Sequence, residues 1–488
     1  MSEIQETFDS GDSGNEPGAA LASGKFRDEY ASGSVPAFDN GKQGDSLANL
    51  FAQTASPLPN FDVFVPPSPP PLTGVCKQSP DFVRIIDEAA ANIYDVKGLG
   101  DLDAAKREYC DTGNPKDAVD RANEILKRTG DPYNSMFRSQ KAMDLEGIFA
   151  GRVRGIGIDF QIPGLDATSK RPKKGPFIIN EVLPGTPAER ANLKEGDVIS
   201  RIDGVDARHL GFDDLQAALQ NPEKKPVNLT IVSDGQAREL SIVPEELTVP
   251  AVTHKSLGDG IAYLKVEDFM QRDTVDEMKA AIEHYKGARG FVIDLRDNTG
   301  GLFEPGVQGA SLFVDQGTLL SMRVRRQSDP KNPQYDNTFY NLKEDEISIE
   351  TGIGFAGTDK RSLKRFEDLV DVPTVFLVNG MTASSGEIFA SAVQENGDAK
   401  VVGSRTYGKG IGQALYSGMP DGSMLRVTNF RYYSPKGNWF GDAHKQRIGV
   451  TPDLEVDNPD DALRLSSADA QFQRGLQVLR RDIAEREN

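Results

Sequence analysis

The chain runs Thr374-Val375-Phe376-Leu377-Val378, then Asn379-Gly380-Met381-Thr382-Ala383-Ser384, then Ser385-Gly386-Glu387-Ile388-Phe389-Ala390. Five β-favouring, mostly apolar residues are broken by an Asn-Gly turn, and a short polar stretch then enters an apolar helix predicted to continue to Asn396. A serine at such a strand-to-helix turn is by default an N-cap. The same place, beside unpaired helix N–H groups and the positive end of the dipole, also suits an oxyanion forming next to a nucleophile. Outward from this unit the pattern repeats. Strands are predicted at 262–266, 290–295 and 401–403, with helices at 275–285 and 306–313. That alternation predicts an α/β core of parallel strands covered by helices.

A chain of 488 residues and 53.1 kDa is long enough for two to four domains. Residues 1–75, rich in Gly, Ser, Asp and Pro, read as a disordered arm. Residues 76–150 read as a helical region, with Phe82, Ile85, Ile86, Ala89, Ala90 and Ile93 on one helical face. Residues 151–246 hold short β-branched runs and two helices, a compact β-rich module, and 247–488 form the α/β core. Within the core, 325–367 is polar and weakly periodic and is expected to be an insertion or flap. No window approaches the roughly 18 apolar residues of a membrane-spanning helix. A net charge of −18 argues against nucleic acid as a partner, and Lys170-Arg171-Pro172-Lys173-Lys174 reads as a solvated loop tip. Cys76 and Cys110 are too few for a disulfide scaffold or a four-thiolate metal site. The first thirty residues show no signal peptide.

If Ser384 is a nucleophile, it needs a base. His209, His254, His284 and His444 lie in no motif that suits a Ser-His-Asp arrangement. Thr406-Tyr407-Gly408-Lys409-Gly410-Ile411-Gly412-Gln413 offers Lys409 instead. Lysine is a base once burial brings its pKa down toward neutrality. Gln413, four positions on, can share a face with Lys409 and hold its amine. Residues 403–410 mimic a phosphate-binding P-loop, but Gly410 stands where that loop carries the magnesium-binding hydroxyl. After the strand at 290–295 come Asp297-Asn298-Thr299-Gly300-Gly301, and the N–H groups of Gly300 and Gly301 are expected to form an oxyanion hole with that of Ser385. Asp294 and Asp297 lack the further spaced ligands a metal site requires and read as structural charges.

Together, Asp294-Leu295-Arg296-x-Asn298-x-Gly300-Gly301, Thr382-Ala383-Ser384-x-x-Glu387 and Thr406-Tyr407-Gly408-Lys409-Gly410-x-x-Gln413 closely resemble motifs of the C-terminal processing (tail-specific) serine peptidases. Arg431-Tyr432-Tyr433-Ser434-Pro435 and Gly449-Val450-Thr451-Pro452-Asp453 resemble that family's later motifs. Gly386 departs from it, standing where a serine is common. The 151–246 module resembles a PDZ domain, with Gly155-Ile156-Gly157-Ile158 at the carboxylate-binding loop. The resemblance implies an α/β (α+β multidomain) architecture: a ClpP/crotonase-like peptidase core with an inserted PDZ domain and an N-terminal helical region. It further implies Ser384 as nucleophile, Lys409 as general base and Gln413 as the residue positioning it. No metal or organic cofactor is expected. The expected partners are protein substrates with unstructured C-terminal tails, with homo-oligomerisation left open. A catalytically silent PDZ peptide-binding scaffold is the competing function. The compartment is left undetermined by the residues, and the resemblance favours an extracytoplasmic one, periplasm or cell envelope.

Overall fold

The computed structural model describes residues 63–64 and 80–487 apart from 112–117, 139–146, 162–175, 211, 221–224, 327–330, 344–345, 353–358, 365–371, 398, 420–421, 444–445 and 460–461. Nearly all of the 1–75 arm, the basic 170–174 loop, Cys76 and His444 therefore lie outside the described residues.

A six-stranded sheet carries the core. Its order is Val252–Gly258, Ile261–Val266, Gly290–Asp294, Thr374–Val378, Lys400–Gly403 and Leu454–Glu455, parallel from the second strand onward. Successive residues of each strand enter different cores. Ala262, Leu264, Phe291, Ile293, Phe376 and Val378 pack with the helices Thr274–His284, Phe303–Ala310 and Ser385–Asn396. Ile261, Tyr263, Val292, Val375 and Leu377 pack against Phe472, Leu476, Leu479 and Ile483 of the helix Ala470–Arg486. Both faces are thus buried, which is why these strands read as unbroken apolar runs. Each such Leu, Ile or Phe side chain contributes about 1.5–3 kcal/mol on burial. The closing helix was not evident from the sequence. Its start is fixed by Asp469, whose carboxylate accepts from Phe472 N at 3.0 Å.

The second sheet has eight strands. Ile411–Tyr416, Met424–Tyr433, Gly317–Arg326, Gln334–Lys343, Glu346–Gly352 and Asp359–Lys364 follow in order; Val63–Phe64 extends it and Ser135–Phe137 joins Met424–Tyr433. The described parts of 325–367 therefore continue this sheet. Arg325 is fully buried, its guanidinium donating to Ile93 O. The helices Pro80–Asn92, Leu102–Asp111 and Ala118–Lys127 lie on the same sheet: Phe82, Ile85 and Ile125 share one core with Tyr416, Leu425 and Val427.

The β-rich module is a sheet in the order Ile158–Gln161, Phe177–Val182, Val198–Ile202, Val227–Ser233, Gln236–Ile242. Its core includes Phe177, Ile199 and Ile231, together with Leu215 of the helix Phe212–Gln220. Among the described residues no helix is long and apolar enough to cross a membrane.

Candidate active site

Ser384 caps the helix Ser385–Asn396 at φ 54°, ψ −120°. A non-glycine residue held there is strained, and such strain is kept where neighbours over-determine it. One neighbour is Gly300. A Cβ placed on it would lie 2.6 Å from Ser384 Cβ and 2.7 Å from Ala383 O, so only glycine lets the two turns meet this closely. Gly386 is less confined: a Cβ there would approach Asn298 O to 3.1 Å, so a larger residue would need its neighbours to give by a few tenths of an ångström.

The residue that organises the site was quoted in the sequence motif but given no role. Glu387, fully buried, accepts four hydrogen bonds. Ser384 N and Lys409 N donate to Oε2 at 2.9 and 2.8 Å; Thr406 Oγ1 and Gly408 N donate to Oε1, both at 2.7 Å. Burial pushes its pKa up to about 7, against the opposing pull of these donors. Its signal was the third position of a capping box, Ser-x-x-Glu, which normally means only a helix start.

Lys409 is half-buried, with Nζ 4.3 Å from the centroid of the Tyr133 ring. Its carbonyl accepts from the Tyr432 hydroxyl, which also neighbours the Ser384 side chain. Burial drives the Tyr432 pKa well above the usual phenol value, so it stays a neutral donor. Gln413 lies on Ile411–Tyr416 next to an irregularity in the pairing, and its Nε2 donates to Thr428 Oγ1 at 3.2 Å. Neither Tyr133 nor Thr428 was singled out by the sequence, since each reaches the site only through tertiary contact.

Of the three N–H groups expected to face an oxyanion, that of Gly300 donates to Asn298 Oδ1 at 2.9 Å and is already engaged. Gly301 is held against Phe269, and Ser385 is the first residue of the helix, with its hydroxyl on the carbonyls of Gly301 and Leu302 at 3.2 and 3.0 Å. The Ser385 N–H is among the first-turn donors that a helix leaves unpaired. Asp294 and Asp297 are both paired with arginine. Arg296 donates to Asp294, and on its other side to Asp469 at 2.7 Å; Tyr263 adds a bond to Asp294 at 2.9 Å. Burial opposes the charge on Asp294, yet Arg296 holds its pKa down to about 2. Asp297 pairs with Arg464 and Asn379. No group of three His, Cys, Asp or Glu suited to a metal occurs among the described residues.

In the β-rich module, Gly155-Ile156-Gly157-Ile158 forms the loop into Ile158–Gln161, an edge strand with a partner on one side only. Ala188 N and Leu183 N donate to the carbonyls of Ile156 and Gly157, both at 2.9 Å. Gly157 has φ 84°, and a Cβ there would strike Thr186 at 2.4 Å. The cavity over this loop is walled by Phe160 and Leu219 and, from beyond the module, by Leu247, Val249 and Glu267. Lys265 joins module to core, bridging Asp159 at 3.2 Å and Glu267 at 2.8 Å. Burial works against its charge, but the two carboxylates raise its pKa above the ordinary value.

A serine held at a strained elbow, a lysine whose backbone is tied to the same buried carboxylate, and a β-rich module on the same chain make up the arrangement expected of a serine-type peptidase. The family model for peptidase family S41 matches residues 260–456, and that for the PDZ domain matches residues 150–232. The chain is 29% identical over 378 residues to a carboxyl-terminal-processing protease of Picosynechococcus sp., covering 75% of this chain and 80% of that one. A protein of the same name from Synechocystis sp. is 29% identical over 381 residues, covering 76% and 79%. Among solved structures, the photosystem II D1 C-terminal processing protease aligns over 82% of this chain and 100% of its own, at 24% identity and a TM-score of 0.49. Residues 260–456 thus carry a peptidase family S41 domain and residues 150–232 a PDZ domain, and the chain is a serine peptidase.

Proposed function

We propose that this peptidase cleaves proteins at or near unstructured C-terminal tails, using Ser384 as nucleophile, Lys409 as general base and the PDZ domain to capture the tail. The observation that carries the proposal is the shared acceptor Glu387 Oε2, which fixes the Ser384 and Lys409 backbones to one point.

In the first step the lone pair of neutral Lys409 Nζ takes the Ser384 hydroxyl proton as Oγ bonds to the scissile carbonyl carbon. The carbonyl π pair moves onto oxygen, where the N–H groups of Ser385 and Gly301 meet the charge. Collapse breaks the C–N bond, and the Lys409 ammonium returns its proton to the departing amine. Water, deprotonated by Lys409 in turn, hydrolyses the acyl ester and restores the Ser384 hydroxyl. Gln413, anchored on Thr428, keeps the lysine in range. The tail adds as a strand beside Ile158–Gln161 with its carboxylate on the loop 155–158.

The test compares cleavage of an unstructured protein tail with a free or an amidated C-terminus, in the parent and in Ser384→Ala. The reading expects cleavage of the free tail, slower cleavage of the amidated one and none in the variant. Tail binding without cleavage in the parent would establish the silent scaffold instead.

A further inference from the structure

We infer that Tyr133, delivered by the N-terminal helical region, is a positioning residue of the reaction: its ring face holds the Lys409 amine and stabilises the ammonium that forms when Ser384 gives up its proton. The inference rests on the Ser384/Lys409 reading above.

Three sets of contacts carry it. The Lys409 Nζ lies 4.3 Å from the ring centroid, well inside the roughly 6 Å over which an aromatic face attracts a cation. Tyr133 also packs against a small buried cluster of Ala383, the residue before Ser384, with Tyr407 and Ala443, and this cluster joins the Ser384 turn to the Lys409 turn. Finally, the segment holding it is built rigidly. Tyr133 N donates to Asp131 Oδ1 at 2.9 Å, and Arg426 Nε donates to Tyr133 O at 2.9 Å. The next residue, Asn134, is buried and accepts from Thr428 N at 2.8 Å, while Thr428 Oγ1 receives Gln413 Nε2. One short connector therefore supports the base and the residue that orients it.

The ring's benefit is differential. A neutral amine gains little from the negative face of an aromatic ring, whereas an ammonium gains much. The ammonium exists only after proton transfer, so the interaction strengthens as the oxyanion forms. Other charged or titratable groups around Lys409 are Glu387, which accepts its backbone N–H; Tyr432, which donates to its carbonyl; Asp442, whose backbone pairs with that of Lys409 in an isolated antiparallel β-bridge; and Arg426, over the same Tyr133 ring. Tyr407, under Arg447, completes the surround. A Leu at 133 keeps apolar cover and removes the ring face together with the hydroxyl, whereas a Phe keeps the ring face and removes the hydroxyl alone.

The experiment measures pH profiles of kcat and KM on a fluorogenic unstructured peptide for the full chain, Tyr133→Leu, Tyr133→Phe and Lys409→Ala. Tyr133→Leu is expected to lower plateau kcat about 2- to 30-fold with little change in KM, and to move the acid limb down by about 0.4–1.5 pH units. Tyr133→Phe keeps the acid limb where the parent has it. A parent-like plateau and limb in Tyr133→Leu, with Lys409→Ala inactive, overturns this inference and leaves the dyad standing. An active Lys409→Ala overturns the dyad itself. A second readout needs no activity: the pH midpoint for acylation of Lys409 by an amine-reactive ester, followed by mass spectrometry. That midpoint should fall in Tyr133→Leu, and equal midpoints would overturn the inference.

Discussion

The backbone N–H groups of Ser384 and Lys409 meet on a single oxygen, Glu387 Oε2, at 2.9 and 2.8 Å. Two turns that follow different strands are thereby fixed to one buried carboxylate, whose other oxygen takes Thr406 and Gly408. The spacing between the proposed nucleophile and the proposed base thus depends on the side chain of Glu387.

Glu387→Gln should disable the site even though the shape is kept. An amide NH2 in place of either oxygen faces two donors and accepts from neither. Two donors of a fully buried cluster lose their acceptor, at about 1–3 kcal/mol each. Peptide cleavage should fall at least about a hundredfold, because a displacement near 1 Å carries that cost. Parent-like cleavage by this variant would show that the clasp does not set the geometry.

The same carboxylate couples activity to pH. Its folded pKa, about 7, lies above the ordinary carboxylate value, so the fold favours the protonated form. Stability from this group is therefore present below about pH 4.5 and lost as pH rises toward 7, a change of up to about 3 kcal/mol. Four donors, however, require the ionised form, so activity should rise as stability declines. Paired melting and rate measurements from pH 5 to 8 check this, and a stability that rises over that range would contradict it.

Gln413→Ala should reduce kcat less than Lys409→Ala. Its amide anchors on Thr428 and exchanges no proton, so removal loosens the base without deleting it. A loss of about tenfold is expected from steady-state kinetics, and inactivity equal to that of Lys409→Ala would assign Gln413 a more direct part.

Arg296→Met should destabilise the core by about 3–5 kcal/mol, since Asp294 and Asp469, both fully buried, would lose their shared partner. Because the folded pKa values of both carboxylates are depressed, the parent keeps this stability above about pH 4 and loses it as pH falls toward 2. Denaturant melts at neutral and acid pH measure both effects. An unchanged midpoint at pH 7 would mean that the network is not needed for stability.

The sequence made the α/β core legible wherever one chemical pattern ran long enough. The strand Thr374–Val378 and the helix Ser385–Asn396 have the bounds expected of them, because apolar residues on both strand faces and a serine cap leave little choice. The strand Gln334–Lys343 was hidden. Its inward positions include Thr338 beside Tyr340 and Leu342, so polar residues dilute the alternation that marks a strand. At the site, local motifs singled out Ser384 and Lys409, whose backbones meet on Glu387. Tyr133 was not, since nothing in its own segment signals that the ring lies over a distant lysine.

The central claim is that Lys409 activates Ser384, and a fluorophosphonate probe tests it by covalent capture. Intact mass and peptide mapping should find one adduct, on Ser384, in the parent at pH 8, and none on Lys409→Ala under the same conditions. An adduct that forms equally fast without Lys409, or on a different serine, would contradict the account.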